Sequence, residues 1–336
     1  MNIVWFVLSR TIIIKKISIF AVSYLTIVYM ISVVTAYYNS HDFIGKAFES
    51  LKAQSYECWE WIIVDDGSRP EAVAALNIII GNEERVRVLT QKNAGQGAAR
   101  NRGAREAKGD FLCFLDSDDW FDSHKLEKQL AFMRENKSDL SFTGVEGVRL
   151  NGCKENFSGI SHFDQKRGRE FLPGLIKNCL FTLSSVMITK SCFDELGGFS
   201  SESEFRGTED YELWVRAAAA DKNFAFIPER LTYYNIRYGS EVRDLIRSYD
   251  GTLRAIRPLK NDANPMIQVL VGRRSVYLAG RLIMRAIAAD KMEIARYWAG
   301  EEPKALFGVS KILMMSGGRP VARLLNIAYR LKKQLQ

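Results

Sequence analysis

Between Ile31 and Leu115 the sequence passes through four short apolar stretches, each followed by a segment with helical periodicity, and this alternation restricts the fold more than any other feature. ISVVTAY (31–37) leads to a helix over 41–54, on which Phe43, Ala47, Phe48 and Leu51 share a face. WEWIIV (59–64) precedes a helix after Pro70, RVRVLT (85–90) one over 96–107, and DFLCFL (110–115) one over 123–136. Short, nearly unbroken apolar runs are what strands covered on both faces require. Strands alternating with helices build βαβ units, so the expected class is α/β, a mostly parallel sheet flanked by helices. Ligands of such sheets sit at the carboxyl ends of the strands.

The polar motifs fall at those ends. The first strand finishes in Tyr38-Asn39, the second in Asp65-Asp66-Gly67-Ser68, the third in Lys92-Asn93-Ala94-Gly95 and the fourth in Asp116-Ser117-Asp118-Asp119. Singly, each has a plain explanation: Asp, Gly and Ser are turn formers, and Asp122 or Ser123 can cap the helix that follows. GQGAAR resembles a dinucleotide loop, but Arg100 stands where the last Gly belongs and the loop follows the wrong strand, which disfavours a Rossmann oxidoreductase. No GxxxxGK[ST] is present, which excludes a P-loop. Asp116, Asp118, Asp122 and Glu127 match EF-hand positions, yet Phe121 replaces the obligatory Gly and the segment follows a strand. What remains is a divalent cation site: Asp116 and Asp118 project hard oxygens into a cleft, where Mg²⁺ or Mn²⁺ would bridge them to a substrate phosphate. Such an ion offsets the repulsion among the carboxylates.

Charge and cysteines narrow the setting. The chain carries a net +8, but residues 251–336 hold 16 Lys/Arg against 5 Asp/Glu, so the rest is slightly acidic. Five cysteines without ligand spacing suggest neither a disulfide framework nor a zinc site, and a cytoplasmic location fits. Residues 17–38 are uncharged, long enough for a membrane span, but the first strand claims the end of that run and leaves about 14 residues, short for one. Residues 1–29 are therefore read as an apolar extension or weak anchor, with Met30 as an alternative start. At the other end, Val321, Leu324, Leu325, Ala328 and Leu331 form a stripe at helical spacing beside Arg323, Arg330, Lys332 and Lys333. Such a helix either packs on the preceding domain or lies peripherally on the inner face of an anionic membrane. The acidic rim and the lack of a recognition motif speak against nucleic acid.

The ordered set VVTAYYN, VDDGS, NAGQGAARNRG, DSDDW, GGF and ED resembles the inverting family 2 glycosyltransferases with the GT-A fold, over residues 31–240, about two thirds of the chain. That resemblance implies a glycosyltransferase domain over 30–240 and a basic helical region over 241–336. It implies a nucleotide-sugar donor, UDP-linked by preference, and a glycan or lipid-linked acceptor in surface polysaccharide synthesis. Carried over by position, Asp66 is the carboxylate that meets the uracil, with Ala36 and Tyr38 lining the same pocket. Arg100 lies near the nucleotide, Asp116 contacts ribose or sugar, and Asp118 binds the Mg²⁺ or Mn²⁺. Gly197, Gly198 and Trp214 face the acceptor, and the Glu209-Asp210 pair supplies the general base, assigned to Asp210. An inverting transfer needs such a carboxylate to take the acceptor's proton and a cation to hold charge on the departing diphosphate. Glu209 and Asp210 also suit a helix N-terminus on purely electrostatic grounds.

Two positions depart from the family pattern. Ala36 replaces the proline of IPxYN, and Arg237 stands where YRxHxxS has its His; an Arg cannot ligate a metal but can clamp phosphate. The competing readings are a sugar nucleotidyltransferase, which TAYYNSHDF does not fit because it is no phosphate loop, and a catalytically silent membrane-docked scaffold. Residues 145–182 carry no readable pattern.

Overall fold

The computed structural model describes residues 28–149, 152–156, 166–237 and 245–306. Strand β1 (Ile31–Tyr37) is followed by α1 (His41–Lys52), β2 (Trp59–Asp65), α2 (Pro70–Ile80), β3 (Val86–Thr90), α3 (Gln96–Glu106) and β4 (Phe111–Phe114). These are the four expected strands and the first three of the four expected helices, with boundaries within a few residues of the sequence pattern. After them come β5 (Trp120–Phe121), α4 (Lys125–Glu135), β6 (Leu140–Arg149), β7 (Lys154–Asn156), β8 (Lys166–Arg167), α5 (Gly168–Lys177) and β9 (Val186–Thr189). Then follow α6 (Lys190–Glu195), α7 (Glu209–Ala219), β10 (Asn223–Ile236), α8 (Leu245–Ile256), α9 (Pro265–Ala288) and α10 (Met292–Glu301).

The sheet runs β3-β2-β1-β4-β9-β6-β10-β5. β1, β2, β3 and β4 pair in parallel, as do β6 and β10, while β9 runs against both β4 and β6. Two parallel blocks thus share one direction across a single reversed strand. Residues along each strand alternate between two cores, as the pleat requires. Val34, Ile62, Val64 and Phe114 face one, and Ile31, Val33, Trp61 and Cys113 the other. On the first side α3 comes very close: a Cβ on Gly103 would lie 2.4 Å from Val34 Cγ1, so only glycine fits there.

The C-terminal helices are not a detached tail. Ala255, Ile256, Leu259, Ile267 and Val271 join the core that contains Phe171 and Trp214, and α8, α9 and α10 enclose a further cluster around Trp298. The helix that starts at Pro265 ends before Asp290, which is in the left-handed conformation (φ 57°), and Lys291 N–H donates to Ala286 C=O at 2.7 Å. That is a helix C-cap of a kind more often built on Gly or Asn, which the sequence does not advertise. The apolar stretch 1–27 and the basic stripe beyond Pro320 lie outside the described residues. Among those described, no helix is long and apolar enough to cross a membrane.

Candidate active site

Register brings the motifs onto one rim. Tyr37 is level with Asp65, and Asp65 with Thr90, so three strands finish on one line. The ends are then laced together: Asn39 N–H donates to Ser68 Oγ (3.0 Å), and Arg69 N–H to Asn39 Oδ1 (2.9 Å). Asp66 is buried, with Oδ1 accepting from Gln91 Nε2 and Ala94 N and Oδ2 from Gly95 N, each at 2.8 Å. Its carboxylate therefore fixes the loop between β3 and α3. A carboxylate has about four lone-pair sites, which leaves one free on Oδ2. Tyr38 is exposed beside it, and Ala36 is half-buried.

The acidic run after β4 is a tight turn, closed by Asp119 N–H on Asp116 C=O at 3.0 Å. It sends its three carboxylates in three directions. Asp116 accepts from Arg100 Nη2 at 2.7 Å. Asp118 pairs with Arg237, the residue at the family's His position. Asp119 points inward, accepting from Ser184 Oγ (2.6 Å) and Asn235 N (3.1 Å) and so tying the turn to β10. Burial, and then the neighbouring carboxylate of Asp116, push Asp118 and Asp119 above the usual aspartate range. Arg237 and the hydrogen bonds oppose this. Asp119 and Ser184 are site residues missed by sequence reading, although three carboxylates crowded into four residues could not all have faced the cleft.

Arg100 links this turn to α7. Its guanidinium, 4% exposed, reaches Asp116 and, through Nη1, Glu209 Oε1 at 2.8 Å. Glu209 is itself 2% exposed, and its Oε2 accepts from Gly207 N at 2.6 Å. Asp210, next on the helix, has only its own Tyr211 N–H as a described hydrogen-bond partner (2.8 Å). Burial, then the charge of Glu209, push its carboxyl up to about 6, against the pull of Arg100.

The loop before α7 is held just as firmly. Asn101 donates to Phe199 C=O (2.8 Å) and accepts from Phe199 N–H (2.9 Å), which anchors the Gly197-Gly198 turn against α3. Arg216 adds a bond to Gly198 C=O at 2.8 Å. Trp214 is not brought to this rim. It is fully buried with its ring 5.5 Å from Phe181, because its place on α7 faces the sheet, and its indole N–H has no partner among the described residues.

For a cation, no three His, Cys, Asp or Glu side chains among the described residues are grouped to hold an ion unaided. A site for Mg²⁺ needs only one or two carboxylates, since water and substrate phosphates complete the shell. Asp118, mostly buried and already paired with a positive charge, fits that requirement.

Comparison with known proteins agrees with this arrangement. The profile of Glycosyl transferase family 2 matches residues 32–187. A Bacillus subtilis protein named as a putative teichuronic acid biosynthesis glycosyltransferase, TuaG, is 41% identical over 55% of this chain and 71% of its own length. An uncharacterized glycosyltransferase of Rickettsia felis is 34% identical over 56% of this chain, which covers only 30% of that longer relative. Among solved structures, S. aureus TarS 1–349 in complex with UDP-GlcNAc superposes with a TM-score of 0.58 at 18% identity, over 82% of this chain and 81% of its own. The Pyrobaculum calidifontis mannosyltransferase PcManGT with GDP-Man and Mn²⁺ gives 0.57 at 16%, over 91% and 81%. These two share the fold. With its strand-end motifs gathered on one rim of a GT-A sheet, the chain belongs to glycosyl transferase family 2.

Proposed function

We propose that the protein transfers a sugar from a UDP-sugar to a hydroxyl of a glycan or lipid-linked acceptor, with inversion at the anomeric carbon and with a divalent cation. The observation that carries this is Asp210: a carboxyl pushed up to about 6 beside a buried ion network, without a strong hydrogen bond to a second element. A base with that affinity is ionised at neutral pH yet still takes a proton well. Inversion needs no enzyme nucleophile, so one such carboxylate suffices.

The other roles follow from what each group touches. Asp210 takes the acceptor's proton as its oxygen attacks the anomeric carbon. Glu209, locked to Arg100 and Gly207, positions Asp210 and helps raise its affinity for protons. Asp66 offers its one free lone pair to the uracil N3–H, with Ala36 and Tyr38 beside the base. Asp116, held by Arg100, reaches the ribose or sugar, and Asp118 holds the Mg²⁺ or Mn²⁺. The cation supplies charge stabilisation for the departing diphosphate. Gly197 and Gly198 border the acceptor; Trp214 acts from below, by supporting α7. Residues 30–240 form the transferase domain, and the basic region over 241–336 meets the inner face of the membrane. The names of two relatives support donor and pathway: TarS was solved with UDP-GlcNAc, and TuaG is named for teichuronic acid biosynthesis. PcManGT supports the cation, but its GDP-Man means that the shared fold does not select the base.

Incubation of the full chain with a panel of UDP-sugars, in Mn²⁺ or in excess chelator, tests this. Release of UDP from at least one donor, abolished by the chelator, is expected. A folded protein that releases none, with or without candidate acceptors, would contradict it.

A further inference from the structure

Lys125 opens α4 and is fully buried, as is Gln129 one turn later. A lysine is almost never closed off from water unless a carboxylate pairs with it, and among the described residues none does. Its Nζ instead donates to Gln129 Oε1 at 2.6 Å and sits over the Phe121 ring, 4.2 Å from the centroid. With Oε1 turned to Lys125, the amide has one orientation. Its Nε2 faces the sheet and donates to Ser141 C=O (3.1 Å), Ser141 Oγ (3.1 Å) and Ser185 C=O (3.0 Å). Ser141 lies on β6 and Ser185 immediately before β9, the strand that runs against it. Gln129 thus ties down the chain where the sheet reverses. The next hydroxyl, that of Ser184, meets both ends of the acidic turn: Asp116 N–H donates to Ser184 Oγ at 3.1 Å, and the same Oγ donates to Asp119 Oδ2 at 2.6 Å. Asp118, the carboxylate assigned to the cation, is held between them.

We propose that Gln129 is a positioning residue for the acidic turn: oriented by Lys125, it fixes Ser184 and through it the aim of Asp118. This rests on the donor-site reading above, in which neither Gln129 nor Lys125 touches donor or cation. Mg²⁺ tolerates little departure from octahedral geometry, so a carboxylate that drifts with its turn loses affinity for the ion. The buried lysine thereby acquires a use. Its desolvation is costly, but it denies the amide the opposite orientation, in which Oε1 would face Ser185 C=O and leave that carbonyl without a donor.

The test compares wild type with Gln129→Met, Gln129→Glu and Lys125→Met, each in the full chain, by calorimetric titration of UDP at a series of Mn²⁺ concentrations, with the urea midpoint of each protein measured alongside. Gln129→Met removes the donors, and Gln129→Glu removes them while keeping an acceptor for Lys125. Both are expected to raise the Mn²⁺ concentration at half-maximal UDP binding by roughly tenfold. Lys125→Met leaves no charge behind and frees the amide to turn, so a smaller rise of about threefold is expected, the worth of one modest hydrogen bond. In saturating Mn²⁺ all three should bind UDP as wild type does, because the nucleoside end of the rim is untouched. A merely structural role would lower the urea midpoint and leave the Mn²⁺ requirement of the folded protein unchanged. That result would overturn the proposal, as would a loss of UDP affinity that no Mn²⁺ concentration restores. Should the Gln129 variants fail to fold, Lys125→Met decides alone, and an unchanged Mn²⁺ requirement overturns the proposal. A wild-type protein that binds UDP without regard to Mn²⁺, or not at all, would instead sink the donor-site reading, and this inference with it.

Discussion

Arg100 Nη1 and Glu209 Oε1 lie 2.8 Å apart although 109 residues separate them in the chain, and the same guanidinium holds Asp116 at 2.7 Å. The first helix turn after β3, the acidic turn after β4 and the start of α7 are thereby fixed to one another in the interior. Removing one partner from a buried ion network costs about 3–5 kcal/mol, because a buried charge, here that of Glu209, is left without a partner or water. Arg100→Met is accordingly expected to lower unfolding stability by that amount in urea titration and to abolish transfer. A variant within about 1 kcal/mol of wild type would show that the network is not a structural centre.

The pH dependence of transfer follows from Asp210. With its carboxyl pushed up to about 6, the base is ionised above that value and protonated below it. kcat/KM should therefore fall by about tenfold per pH unit on the acid side of an apparent pKa near 6. A plateau extending down to about pH 4.5 would remove Asp210 from the proton transfer.

Asp210→Asn separates chemistry from binding. Transfer is expected to drop by roughly 10²–10⁴-fold, the usual contribution of a general base, with UDP affinity nearly unchanged. The same variant should be more stable than wild type at about pH 8. A raised folded-state pKa means that the protonated form is the one the fold favours. Its contribution is complete below about 3.8 and is lost as pH rises through about 6. Melting temperatures of variant and wild type should therefore converge by about pH 4. A stability difference independent of pH would contradict the raised value.

Two adjacent glycines provide a local comparison. Gly197 and Gly198 both have positive φ, 78° and 74°. A Cβ at 197 would meet open space, whereas one at 198 would lie 2.6 Å from Asn101 Oδ1, the atom that anchors Phe199. Gly197→Ala should cost about 1 kcal/mol from backbone strain alone. Gly198→Ala should cost more and also weaken transfer, by displacing the loop beside α7. Equal effects in thermal unfolding would mean that the Asn101 contact yields freely.

Much of this site is local in sequence, which is why it was legible there. Asp66, Asp116 and Asp118 each follow a strand whose apolar run marks its end, so the parallel topology alone predicts a common rim, whereas Asp210 is identified only through the family resemblance. Sequence position does not give the direction of a side chain within a turn, and there the reading stops. Asp119 turns inward to Ser184 and Asn235 while Asp118 turns outward to Arg237, and spacing cannot distinguish the two neighbours. Trp214 illustrates the same limit on a helix: next to functional residues in sequence, it faces the core. The pairing of Arg100 with Glu209 depends on tertiary packing, and the stretch 145–182, with its short strands and a helix containing Pro173, has no sustained period to read.

The central claim is that this rim binds a uridine nucleotide through a cation. Calorimetric titration of UDP into the full chain, with and without Mn²⁺ and with GDP and CDP as controls, tests it most directly. UDP is expected to bind with Mn²⁺ and far more weakly without it, and GDP and CDP to bind poorly. Equal affinity for all three nucleotides, or UDP binding indifferent to Mn²⁺, would contradict it.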